Sequence, residues 1–566
     1  MSNKVFFENK EFDREVNYSS DSYHSFKFVK CHFKRQVAFR NLVLGSWAIF
    51  EDCIFDDGLY FLGCRTRENV KDVCENGISN SLIIKECKIC ELTINGSSNN
   101  NVFERGILIE KSTVTQGIHV EHISCRMNGF ALEDTTVNGN VMLSNLRILS
   151  IGFLLLSSKI QGKIRFQAVS SPAYTFLDSN IDENVYLWGA QVGSITFNNG
   201  SYGDEFDIAA IDCDNLSIIG GEFKKLMKIA RGNNANPQRG GMKNIYIRNT
   251  KFLEGLIIRS GVSNERQSSE KIEIVFSKEL MGDIIFEEID ITGTLLLKGF
   301  NYGANLQLNN TTVNRLHFDS FINSSSVIFQ LFQSYGLESA VEVVNSNLGD
   351  MSFLNTDLDS FEQIVIEGSI LTNIVTTNIT WFKVKKLNSQ SEKKDSLYWK
   401  KQREVFRQLK YSMEENKDRP QALIFKSYEM DAYTKSLKYS WKSFSDILLL
   451  NLNKYSNKHG LSWLNGVLFT FFAWQLCYAS FIMLQDGATY PWESDCNWLI
   501  FDRSYWKTAV QYLWLPEGLD ELSKFYEGTK PALNLVFGTF IFLLGKVAIA
   551  YGIFQAVSAF RKFGKA

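Results

Sequence analysis

A short unit with apolar residues at alternate positions returns about every 11 residues through the first two-thirds of the chain. It runs through Ile107, Ile118, Ala131, Val141, Phe153, Ile164, Phe176, Val185, Ile195, Phe206, Leu216 and Met227, pauses at the polar stretch 231–241, and resumes at Ile245. From there it continues through Leu256, Ile272, Ile284, Leu295, Leu306, Leu316, Val327, Val341, Met351, Ile364 and Ile374. Helical amphipathicity repeats every 3.6 residues and cannot produce this beat, whereas alternation at period 2 followed by a Ser/Thr/Asn/Gly corner describes a short strand that turns and advances. Each unit is too small to bury its own apolar face, so the units must stack around one continuous core.

The expected fold is therefore mainly β: a right-handed parallel β-helix, or solenoid, over about residues 20 to 385. Two beats per coil give about 15 coils and a rod of roughly 70 Å at ~4.8 Å per coil; three beats per coil would give a shorter, fatter rod. Only Pro172 and Pro237 fall in this region, both in apparent loops, as a chain whose N–H groups are committed to ladders requires.

Units such as NTDLDSF, NSNLGDM and NTKFLEG place a polar pair before a core Leu or Phe, and in this they resemble a degenerate pentapeptide-repeat pattern. Some members of that family mimic DNA with an acidic rod. Residues 1–392 hold 37 Lys and Arg against 46 Asp and Glu, a net of −9, which is mild for a surface of that length. The whole chain, at −2, is not a basic nucleic-acid binder either, and no nucleic-acid partner is expected.

From Asp395 the texture becomes charged and helical. Val405, Phe406, Leu409 and Met413 fall at helix spacing, Asp395 and Asp418 suit N-caps, and Pro420 suits a helix start. The expected domains are a β-helix over 1–392, a helical connector over 393–460 and a two-span membrane hairpin over 461–566 with a 46-residue external loop. The connector reads as an αα-hairpin that serves as a docking module or as a cap on the open end of the β-helix. The stretch 444–460 is expected at the membrane surface.

Trp463 to Leu484 carries no charge, and Ala532 to Phe560 is interrupted only by Lys546. Each is long enough to cross ~30 Å of hydrocarbon at 1.5 Å per residue. Lys442, Lys454, Lys458, Arg561, Lys562 and Lys565 flank the pair on one side, while the loop 485–530 holds four cations beside eight acids. That asymmetry predicts a multi-pass protein of the cell (inner) membrane with both termini cytoplasmic and a loop, rich in Trp, outside and along the interface. The first 20 residues have no apolar core of a secretory signal, in keeping with a cytosolic solenoid.

Lys546 is a candidate intramembrane functional residue; it would lie about 8 Å below the outer surface, within snorkelling reach. Ala548, Gly552 and Ala556 form a small-xxx-small seam that would pack the hairpin on itself or join protomers into a homo-oligomer. The stretches REVFRQLKYSMEENKDRPQALIFKSYEMDAY, KHGLSW and YGIFQAVSAFRKFGK resemble a group of bacterial membrane proteins that join a β-helical front to such a tail. That resemblance implies an architecture and an inner-membrane location, not a reaction.

No catalytic, cofactor or metal site is assigned. Cys87 and Cys90 form the one CxxC pair, with Cys64 and Cys74 upstream, but small apolar ladder positions explain them better than a four-thiolate zinc site. His119 and His122 lie on a strand without zincin spacing. Asp204, Glu205 and Asp207 are candidate paired carboxylates for a β-helix carbohydrate-active enzyme. Three functions are thus in play: a non-enzymatic, membrane-anchored solenoid that recognises, scaffolds or senses an unidentified protein partner, in a bacterial defence or toxin system; an oligomeric pore formed by the hairpin; and that enzyme.

Overall fold

The computed structural model describes residues 3–19, 24–66, 80–96, 101–189, 191–230, 242–260, 267–388, 395–438, 440–483, 503–514 and 532–561. The chain divides into two compact units, Met1–Asn388 and Ser389–Ala566.

The first unit is a parallel β-solenoid of about 15 turns, and strands make up 48% of the structure. Its strands begin at Asn3, earlier than the beat alone indicated, and end at Asn388. Every pairing between the described strands is parallel and joins neighbouring coils. Successive beats alternate between two long sheets. In the first, Phe153 aligns with Tyr174, Tyr174 with Ile195 and Ile195 with Leu216, a step of 21 residues each time. In the second, Val141 aligns with Ile164, Ile164 with Val185 and Val185 with Phe206. The coil thus holds two beats, and in the middle coils a short extra strand such as Lys159–Ile160 precedes the main strand of the second sheet. A step of 21 is not a multiple of five. Longer coils carry their extra residues in loops: Leu216 aligns with Ile245, and the intervening polar stretch 231–241 lies outside the described residues.

Alternation puts two side chains per strand into the core, as with Phe153 and Leu155 or Ile164 and Phe166, all buried. Near the N-terminus the stacked positions are aromatic. Phe28 lies over Phe50 at 5.2 Å, Phe33 over Phe55 at 4.8 Å and Phe39 over Phe61 at 4.9 Å, each pair nearly coplanar.

The corners explain the polar pairs of the sequence. After most first-sheet strands one residue turns left-handed, as at Asp52 (φ 52°), Lys111 (φ 48°), Asp134 (φ 47°) and Asp178 (φ 48°), and its N–H still reaches the next coil, as from Asp134 to Leu156 O at 3.0 Å. The residue after it points inward, and its N–H has no carbonyl to meet. A small side chain one coil on accepts that bond instead. Cys53 N donates to Cys87 Sγ (3.4 Å), Cys87 N to Ser112 Oγ (3.1 Å), Ser112 N to Thr135 Oγ1 (3.4 Å), Thr135 N to Ser158 Oγ (3.1 Å) and Ser158 N to Ser179 Oγ (3.3 Å). Each hydroxyl also donates to the carbonyl two residues back, as Ser158 does to Leu156 O at 2.8 Å. Position and chemistry together select Ser, Thr or Cys.

In the second unit α1 (Ser396–Glu415) and α2 (Arg419–Ser436) form the expected αα-hairpin. Asp395 caps α1 by accepting from Tyr398 N (2.8 Å), and Asp418 caps α2 through Gln421 N (3.2 Å). A buried Lys410–Glu429 pair at 3.0 Å joins the two helices. Then follow α3 (Trp441–Asn457), α4 (Trp463–Met483), α5 (Arg503–Leu513) and α6 (Ala532–Phe560).

Replacing Ser158 by Ala strands the buried N–H of Thr135 and should destabilise the protein by about 1–3 kcal/mol, whereas Thr at that position keeps the bond. Denaturant midpoints of the two variants check this; equal midpoints would show that the corner ladder does not contribute.

Candidate functional site

The chemistry-bearing residues singled out in the C-terminal unit meet where α4, α5 and α6 pack. The long helices α4 and α6 run antiparallel. Trp463 stacks on Phe560 at 4.8 Å at one end, and Phe481 faces Phe542 at 5.9 Å toward the other. Small residues allow the approach between them. A Cβ on Gly466 would sit 2.8 Å from the Ala556 backbone, and one on Gly552 would lie 2.3 Å from Thr470 Oγ1. Gly552 and Ala556 therefore face the first long helix of the same chain, and Ala548 is half-buried one turn before them. Assembly of protomers along this seam would require that intrachain contact to be given up.

Trp463–Phe481 and Val536–Phe560 are long and apolar enough to span a membrane. Leu464, Val467, Leu468, Phe471, Phe472 and Leu476 of α4, and Phe540, Leu543, Leu544, Val547 and Phe554 of α6, point away from the protein. Most of each helix surface thus has no protein covering.

The loop between them holds a feature that the sequence reading missed. Its described part is α5, which does not lie apart from the hairpin but packs against the middle of both long helices. Ala509 is fully buried among Trp474, Cys477, Tyr478 and Ile549. Trp474 Nε1 donates to Ala509 O at 2.8 Å, Tyr478 OH to Tyr505 O at 3.2 Å and Tyr505 OH to Gln475 Oε1 at 2.9 Å. The signal was present in Tyr505, Ala509 and Tyr512, spaced by four and three, but the Trp content drew the reading toward a surface position. Trp492 and Trp498 lie outside the described residues.

Lys546 is bound into this packing. Its Nζ donates to Trp514 O at 2.5 Å, just past the C-terminus of α5, and lies 5.2 Å from the Phe542 ring centre and 5.6 Å from that of Tyr512. A cation at that end complements the negative pole of α5 and satisfies one of its terminal carbonyls.

The link between α3 and α4 is polar and tight. Lys458, His459 and Gly460 all have positive φ, and Asn457 Oδ1 accepts from Gly460 N at 2.8 Å. Asn453 Oδ1 accepts from Tyr551 OH (2.7 Å) and Gln555 Nε2 (2.9 Å), and Asn457 Nδ2 donates to Gln555 Oε1, so α3 is hydrogen-bonded to α6. On its other flank Asp431 of α2 lies 3.0 Å from Lys454 Nζ and 3.4 Å from the nearly buried His459 Nε2, as charge contacts rather than aligned hydrogen bonds. Burial opposes ionisation of Asp431, but His459 and Lys454 outweigh it and lower its pKa. The remaining face of α3 presents Trp441, Phe444, Leu448, Leu452 and Tyr455 in one exposed row at helix spacing.

The other candidates are dispersed. Cys53 and Cys87 belong to the corner ladder, and burial pushes the Cys87 thiol up and that of Cys64 to about 11. Cys90 is half-exposed, and Cys74 lies outside the described residues. His119 and His122 each pair with Glu121, at 3.8 and 3.3 Å. Among the described residues no group of three or more His, Cys, Asp or Glu side chains is placed to hold a metal. Glu205 turns to Lys228 at 3.8 Å, while Asp207 lines a cleft on the second sheet.

Because the Asp431 pKa is lowered below 3.8, its contribution is present above that value and is lost as pH falls through the folded-state pKa. Asp431→Asn should destabilise the protein near neutral pH, and the gap to the wild type should close in acid; thermal unfolding across pH measures both. A gap independent of pH would show that the charge contacts are not what the substitution removes. Comparison of the chain with protein families, curated proteins and solved structures gives no match.

Proposed function

We propose that this chain is a non-enzymatic protein of a bacterial inner membrane, held by α4 and α6, that presents its β-solenoid in the cytosol to recognise, scaffold or sense a protein partner. The observation that carries the reading is the uncovered apolar surface of α4 and α6, together with the exposed apolar row of α3. Side chains such as Phe472, 66% exposed, and Phe554, 64% exposed, are costly in water and favourable in hydrocarbon. The row on α3, from Trp441 to Tyr455, fits a helix lying in the headgroup zone, where indole and phenol rings are favoured.

With both helices across the bilayer, α5 enters from the loop side and reaches the level of Trp474, about half-way along α4. A helix can do this because its backbone bonds are internal, and its exposed C-terminal carbonyl is met by Lys546. The cationic flanks, Lys454 and Lys458 before α4 and Arg561 after α6, support a cytoplasmic position for both termini under the same rule that set the expectation. The solenoid side of the proposal, including a role in defence or toxin action, draws on a long surface whose outward residues are not needed for the core.

Reporters fused after Ala566 and inserted after Asp520 should lie on opposite sides of the membrane; the same side for both would mean that α4 or α6 does not cross. In the same cells, photo-crosslinkers at outward positions of the solenoid should give a discrete protein adduct from neighbouring positions. Their uniform failure to do so would reject partner recognition.

A further inference from the structure

Stacking in register turns the outer face of the second sheet into a grid. Three consecutive strands, Ile164–Gln167, Val185–Trp188 and Phe206–Ala209, align Arg165 with Tyr186 and Asp207, and Gln167 with Trp188 and Ala209. Asn184 Nδ2 donates to Tyr186 OH at 3.0 Å and draws the phenol toward the start of its strand. Trp188 stands two residues further on, 50% exposed, and its neighbour on the next coil is only an alanine. A large side chain beside a methyl group, with the second ring drawn away, leaves a cleft of about 510 Å³. That volume is within the range of about 300–1,000 Å³ in which small-molecule sites fall.

Charge is divided across this cleft. Lys163 and Arg165 line one flank, and neither side chain has an ion-pair partner among the described residues. Asp207 lines the opposite flank, about 10 Å from Arg165 along the sheet at two coil steps. Burial raises the Asp207 pKa, with Lys228 acting against it, as suits a carboxylate partly withdrawn from water. On other coils some cations face acids directly, as Lys271 and Lys298 face Glu273 at 2.8 and 2.5 Å. Here Tyr186 stands between Arg165 and Asp207 in the register, and Asp207 aligns on its far side with Lys228 of the next coil.

We propose that this cleft binds a small ligand with an acidic group at one end, hydrogen-bond donors at the other and a flat ring face between them. Arg165 and Lys163 hold the acid, Trp188 and Tyr186 carry the ring face, and Asp207 accepts from the donors. A mononucleotide and an acidic sugar share this chemistry. The inference goes beyond the protein-partner reading, since it gives the solenoid a small-molecule ligand as well.

The test is calorimetric titration of the full chain in lipid nanodiscs with adenosine monophosphate, with a glucuronic acid disaccharide, and with tripolyphosphate as a ringless anion. Saturable binding of one ringed probe is expected, and which one binds identifies the source. Trp188→Ala and Arg165→Ala should each weaken it roughly tenfold or more. Ala209→Phe, which fills the cleft from the surface without touching the core, should abolish it, and Tyr335→Ala on a distant coil should leave it unchanged. The proposal is overturned if neither ringed probe binds, if binding ignores the three cleft substitutions, or if tripolyphosphate competes equally well. Protein adducts that persist in the Ala209→Phe chain while the titrations fail would reject the cleft and spare partner recognition; absence of adducts in the wild type would reject recognition itself.

Discussion

In the solenoid, each backbone N–H that faces the next coil must meet an acceptor there, because the core offers no water to replace one. Strands meet this requirement with carbonyls. Corners meet it in two ways, with a left-handed residue whose N–H still reaches the next coil and with an inward Ser, Thr or Cys that accepts the following N–H. The same requirement fixes the register, and the register fixes everything outward of it. Once Phe153, Tyr174, Ile195 and Leu216 share a column, the neighbouring columns are set as well. Aromatic stacks such as Phe39 on Phe61 are a consequence of that spacing, since rings one coil apart are at stacking distance whether or not anything else selects them.

This is why the solenoid was legible in the sequence. A repeat with period 2 inside a beat near 11 leaves few other structures open, and the beats sort correctly between the two sheets. The first coils were less legible, because Asn3–Glu8 and Val16–Ser19 carry Phe, Tyr, Asn and Glu where later coils carry Ile and Leu. The corner ladder was visible only as polar pairs. Sequence shows that Ser158 recurs where Thr135 and Ser112 do, but not that each accepts from the coil before it. The cysteines illustrate the point: the sequence indicates small ladder positions rather than zinc ligands, and in place Cys87 is one rung of a ladder that continues as Ser112, through a bond that the sequence does not show.

The helical unit divides along a similar line. Helix ends were legible because caps are local, and Asp395 and Asp418 act as their spacing indicates. Interactions across about a hundred residues were not. Nothing in Asn453 or Asn457 names Tyr551 and Gln555 as partners, yet those bonds tie α3 to the last helix. Lys546 shows what such partners change. Considered on its helix alone it is a cation among apolar residues and invites a pathway. Considered beside α5 it is a donor to a terminal carbonyl, and its charge is met by the helix end it completes. The seam residues Gly552 and Ala556 likewise have an occupant on α4, which the spacing could not choose over a second chain.

The division between inward and outward positions has a further consequence for where function can reside. Inward residues answer to the ladder and the core, so a substitution there is felt through the coils on either side. Outward residues answer only to their neighbours in the grid, so a column can change from cation to ring to acid in successive coils, as Arg165, Tyr186 and Asp207 do, without disturbing Ile164, Val185 or Phe206 beneath. A concave site arises on such a surface when one column drops in size beside a large residue, and the Trp188–Ala209 step does this. No loop or special backbone is needed, which is why no motif announces the cleft in the sequence. Its residues are 42 apart from Arg165 to Asp207 in chain order, two steps of 21, and become neighbours only through the coil length that the ladder sets.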